Sequence, residues 1–80
     1  MELHPGQRVC FSGHFLTARA ELAARARRAG LLVDEAVTAA TDVLVANDAG
    51  SGAASVRAAI AAGVPIVDEY TFDDLLAARV

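Results

Sequence analysis

The chain has no lysine, no tryptophan and a single cysteine, Cys10. One cysteine cannot close an internal disulfide, so the fold has no covalent staple, and a cytoplasmic, reducing context is the default expectation. His4 and His14 stand ten residues apart with no second cysteine. That spacing makes no zinc site, and no metal or cofactor is expected. Neither a G-x-x-x-x-G-K-S/T loop nor a G-x-G-x-x-G fingerprint is present, which removes the common nucleotide-binding loops. No uncharged stretch approaches the ~18 apolar residues of a membrane span, so no membrane association is expected. The opening Met1 to Gly6 also lacks the basic region and apolar run of a secretory signal.

The residues present suit one small soluble domain. Of 80 residues 55% are hydrophobic, 19 of them alanine, so the mean hydropathy of +0.40 overstates the core. All seven basic residues are arginine, and the net charge is -3. A pI near 5.1 argues against strong nonspecific nucleic-acid binding, which usually accompanies values above ~9.

Apolar runs and helical stripes alternate along the chain. Arg8 to Ser12, Leu31 to Val33, Val43 to Ala46 and Val64 to Val67 are short apolar runs bounded by turn residues and read as buried strands. Thr17 reads as an N-cap for a helix whose stripe is Ala18, Leu22, Ala26 and Ala29, with Arg27 and Arg28 solvated and Gly30 as the stop. Asn47 to Ala53 is a loop. Ala54 to Ala62 reads as a helix with Val56, Ala59 and Ile60 inward, stopped by Gly63. Thr71-Phe72-Asp73-Asp74 resembles a capping box opening a last helix, with Leu75 and Leu76 inward. The order is β-α-β-β-α-β-α. It indicates an α/β domain with a parallel sheet covered on both faces, spanning residues 6–80 behind a tail of residues 1–5.

Several pieces, in order and at matching spacing, resemble a bacterial BRCT domain: Gly6, V-C-F-S-G (Val9 to Gly13), R-A-E-L (Arg19 to Leu22), A-G (Ala29, Gly30), V-T-A-A-T-D-V-L-V-A (Val37 to Ala46) and G-V-P-I-V-D-E-Y-T-F (Gly63 to Phe72). Such domains end NAD-dependent DNA ligases and exonucleases similar to the DNA polymerase III epsilon subunit. The A-G-L-x-V turn and the A-N-D-A-G-S-G loop look more like the exonuclease type. The resemblance implies a small three-layer fold with a four-stranded parallel sheet in order 2-1-3-4, the first and third helices on one face and the second on the other. It also implies a non-catalytic recognition module of DNA replication and repair. Its partners would be DNA ends or replication and repair proteins, some phosphorylated. Phe72 holds the place where many members carry tryptophan, which implies a core role.

Strand order 2-1-3-4 reverses between the first and third strands, where ligands of open α/β sheets bind. Ser12 and Gly13 fall there: a hydroxyl donor and a residue that lets a ligand approach the backbone. The start of the second helix, near Ser55, aims amides and a positive dipole end at the same spot. Phosphate-binding members complete this pocket with a lysine, whose place, eight residues before Gly63, is held by Ser55. Arg57 is two residues further on, Arg19 could line the crevice from the first helix, and Asp48 adds negative charge. The candidate phosphate- or DNA-binding residues are thus Ser12, Gly13, Arg19, Ser55 and Arg57, against the plainer reading of Ser12-Gly13 as a tight turn. Arg25, Arg27 and Arg28 read as a solvated face. Asp68, Glu69, Asp73 and Asp74 read as helix-start carboxylates. Thr38 and Thr41 read as bonding to backbone, and Cys10 as a small buried hydrophobe.

Two other readings compete with the interaction module. One is a minimal doubly wound phosphotransfer or thiol enzyme using Ser12 or Cys10. The other is a structural domain that forms a weak homodimer and has no anion pocket. No base pairs in sequence with either nucleophile, so the expectation is no turnover. A hydrolysis and nucleotidyl-transfer assay on pure protein checks it. Activity that disappears in Ser12→Ala or Cys10→Ala contradicts it.

Overall fold

Strand β1 (Arg8–Phe11) leads into helix α1 (Arg19–Arg28). Strands β2 (Leu32–Asp34) and β3 (Val43–Val45) follow, then α2 (Ala54–Ala62), β4 (Ile66–Val67) and α3 (Glu69–Ala77). These elements belong to a computed structural model that describes residues 1–50 and 52–78. Ser51, inside the expected loop, and Arg79 and Val80, at the end of the expected domain, lie outside the described residues. The four strands form one parallel sheet in order β2-β1-β3-β4, the expected arrangement. Val9 pairs with Val33 on one side and Val43 on the other, and Leu44 pairs with Ile66.

Alternation along the central strands divides the core in two. Val9, Phe11, Val43 and Val45 face a cluster with Leu22, Ala23 and Ala26 of α1 and Phe72 of α3. Cys10, Leu44 and Ala46 face the other way, against Val56 and Ala59 of α2 and Val64. Period-two strands therefore bury both faces, and α1 and α3 cover one while α2 covers the other. Phe11 anchors the larger cluster, edge-to-face with Phe72 at 5.3 Å and with Phe15 at 6.0 Å. Leu75 and Leu76 pack against it as expected.

Helix ends follow backbone chemistry. After α1, the Gly30 amide donates to the Arg27 carbonyl and the Leu31 amide to the Ala26 carbonyl, the paired bonds of a Schellman turn. The same pair of bonds, Gly63 to Ile60 and Val64 to Ala59, closes α2. Gly30 has φ +86°, and a Cβ there would stand 3.1 Å from the Cβ of Pro5, so both conformation and space call for glycine.

Several expectations are corrected. Residues 1–5 are not a free tail: Leu3 is 4% exposed in the larger cluster, and the Gly6 amide donates to the Gly30 carbonyl at 2.9 Å. Thr17 does not cap α1. Ala18 stands at that position and brings no side-chain cap, while Thr17, one residue earlier, bonds to Glu69. Ala18 is exposed, and the buried stripe of α1 is Leu22, Ala23 and Ala26. Asp68, not Thr71, opens α3. Its carboxylate accepts from the Thr71 amide at 2.7 Å, so the helix begins earlier than the capping-box reading placed it. Ile60 is 67% exposed rather than inward, since Val56 and Ala59 already fill the face of α2 against the sheet.

Phe72 is fully buried and joins α3 to β1 through Phe11. Phe72→Ala should cost ~3–5 kcal/mol, whereas Ile60→Ala should stay within about 0.5 kcal/mol of the parent. Urea unfolding of the two variants checks this, and a native-like midpoint for Phe72→Ala contradicts it.

Candidate functional site

Strands β1 and β3 are neighbours, but the helices that follow them leave to opposite faces of the sheet. Their carboxyl ends therefore open a crevice. Its volume is about 290 Å³. Ser12, Gly13 and His14 line it from the end of β1, Ala46 and Asp48 from the end of β3, and Ala53 and Val56 from the start of α2.

Ser12 and Ser55, 43 residues apart in sequence, meet hydroxyl to hydroxyl at this point. Gly13 has φ +86° with open space where a Cβ would stand, so the turn itself calls for glycine. The first-turn amides of α2 have no intrahelical acceptor, and the N-cap residue, Ala53, brings no polar side chain to them. Hydroxyls, a glycine turn and a helix start thus converge as expected.

The cations converge less well. Arg19 donates from Nη2 to the Gly13 carbonyl at 2.6 Å, and its guanidinium lies 5.8 Å from the Phe15 ring centre. It braces the outside of the turn and does not line the crevice. Arg57 is exposed, two residues beyond Ser55, with no side-chain partner among the described residues. Asp48 does line the crevice. Arg25 pairs with Asp73 at 3.1 Å and Glu21 at 3.3 Å, and Arg28 reaches Glu21 at 3.4 Å, so much of the α1 arginine face is compensated locally. Asp73 first, and Glu21 second, raise the Arg25 guanidinium above its ordinary value.

Cys10 is 2% exposed, and burial, reinforced by Asp34 and opposed by Arg19, pushes its thiol up. A buried thiol held protonated is a poor nucleophile. Among the described residues no cluster of three metal-ligating side chains occurs, and no helix is long and apolar enough to cross a membrane.

Glu69 carries a function that the helix-start reading missed. It is 2% exposed. Its carboxylate accepts from the Leu16 amide at 2.6 Å, the Thr17 amide at 3.1 Å and Asn47 Nδ2 at 2.7 Å. Asn47 Oδ1 in turn accepts from the Glu69 amide at 2.8 Å, and its Nδ2 also donates to the His14 carbonyl at 3.3 Å. The Leu16 amide above all, then Asn47 and Thr17, hold the carboxyl below the ordinary carboxylate range, against an opposing push from burial. Both loops that form the crevice are therefore tied to the first residue of α3. The only sequence signal was an adjacent acidic pair, Asp68-Glu69, which also suits ordinary capping.

No protein-family model matches the chain, and no curated protein matches it significantly. What the crevice can do rests on its own geometry: two hydroxyls and a helix start favour an anion, and Asp48 opposes one.

A carboxylate with a lowered value stabilises the fold above its ordinary value of 4.5 and loses that contribution as pH falls through the lowered one. Asp68, held down chiefly by the Thr71 amide, acts in the same direction. The urea midpoint should therefore drop as pH falls below the ordinary carboxylate range. The drop should be smaller in Glu69→Gln, and equal drops in the two proteins contradict the assignment to Glu69.

Proposed function

We propose that this chain is a non-catalytic interaction module of the BRCT type, acting in DNA replication or repair. Its crevice takes a phosphorylated segment of a partner protein. The observation that carries the reading is the meeting of Ser12 and Ser55 at the reversal point of a β2-β1-β3-β4 sheet. Two hydroxyls from distant parts of the chain, beside the start of α2, form a neutral cradle that can donate to phosphate oxygens. The pieces of sequence similar to bacterial BRCT domains, and the sheet order they imply, support the same reading.

The lining favours a single phosphate over a DNA end. Duplex DNA presents a dense row of charges, which the net charge of -3 and Asp48 oppose. A lone phosphate needs only the hydroxyls and the α2 amides. A dipole end contributes ~0.3–1 kcal/mol and a charge-assisted hydrogen bond ~1.5–3 kcal/mol, so affinity should be micromolar or weaker once association entropy is met.

Amide shifts at Ser12, Gly13 and Ala54 on titration with a phosphoserine peptide are the expected result. Weaker shifts should follow with a 5′-phosphorylated duplex. Ser55→Lys should tighten peptide binding about tenfold by placing a cation beside the phosphate. Absence of shifts at Ser12 and Gly13 in both proteins overturns the reading and favours a dimerisation domain, which solution mass would show.

A further inference from the structure

The hydrogen bonds around Glu69 join three segments that are far apart in sequence: the β1–α1 loop, the β3–α2 loop and the first turn of α3. We propose that Glu69 and Asn47 form a latch that makes the two loops open and close as one unit against the first turn of α3, which Phe72 fixes to the sheet. The Leu16 and Thr17 amides have their acceptor on α3, at Glu69. The Asn47 side chain has one partner on each of the other segments, the Glu69 carboxylate and the His14 carbonyl, and also accepts from the Glu69 amide. Apart from Phe15, which rests on Phe11 at the margin of the larger cluster, the loop residues nearest the latch stay out of the core: His14, Leu16, Asn47 and Asp48 are all exposed. Beyond the Phe15 contact, their order rests on polar bonds that converge on one buried carboxylate.

A converging network of this kind is cooperative. Releasing Asn47 removes a donor from Glu69, frees the carboxylate to turn, and so loosens its hold on the opposite loop. Local opening below the global unfolding free energy is the expected behaviour of a segment with few apolar contacts and several polar ones. The crevice lies between the two loops, so a bound group that bridges Ser12 and the α2 start would close the latch. That last link rests on the function proposed above, and the latch itself does not.

Amide hydrogen exchange followed by NMR on the full chain tests the latch. Asn47→Ala should speed exchange of the Leu16 and Thr17 amides about tenfold relative to Leu44 and Val45, although neither amide touches Asn47. Glu69→Gln should open the same set, and the Asn47 variant keeps the test intact if that protein does not fold. Unchanged Leu16 and Thr17 exchange in Asn47→Ala overturns the latch. So does a rise of equal size at Leu44 and Val45, which marks general destabilisation. Adding a phosphoserine peptide to the parent protein separates the two proposals. Slower Leu16 and Thr17 exchange supports both. Selective opening in Asn47→Ala with no peptide effect upholds the latch and overturns the phosphate reading.

Discussion

Strands of four, three, three and two residues cannot hold a sheet together by ladder bonds alone. The structure depends on burying both faces of β1 and β3 at once. Val9, Cys10, Val43, Leu44 and Val45 are each no more than 2% exposed. Each residue removed from water on one face needs a helix there, and the neighbouring residue needs one on the other. That demand places α1 and α3 together and α2 opposite, and the crevice follows from where those helices depart.

Much of this was legible because it is local. The α2 limits, Ala54 and Ala62, agree with the reading from alanine-rich helical spacing and the Gly63 stop. Strand positions agree to within one or two residues, since an apolar run shows its centre better than its ends. Apart from the start of α3, where the Asp68 cap is local, the misses share a cause: the surroundings of the fold overrode a local preference. Thr17 has the chemistry of a cap, but Glu69, 52 residues away, engages both its amide and its hydroxyl, and the helix starts one residue later. Leu3 looked like part of a tail because nothing near it in sequence shows that the larger cluster has room for it. Ile60 satisfies the helical stripe, yet the sheet is too narrow to cover a third residue of that helix.

The candidate site divides the same way. Topology placed Ser12 and the start of α2 at the same edge, and the hydroxyl contact with Ser55 agrees with that reasoning. Sequence distance said nothing of Arg19 turning to the Gly13 carbonyl. The polar knot at Glu69 was hidden altogether, because a carboxylate at the first residue of a helix is ordinary. Its burial depends on two loops from elsewhere in the chain.

The brevity of the outer strands has a consequence between molecules. Pro65 and Val67 turn their carbonyls toward β3, so alternation leaves Ile66 alone to present backbone at the open margin. At the opposite margin the Leu32 amide is spent on the Gln7 carbonyl, which leaves Val33 as the residue facing outward. A foreign strand would find a single rung at either side, too little to start a ladder. A domain this rich in apolar residues thereby offers little edge for strand pairing with its own copies.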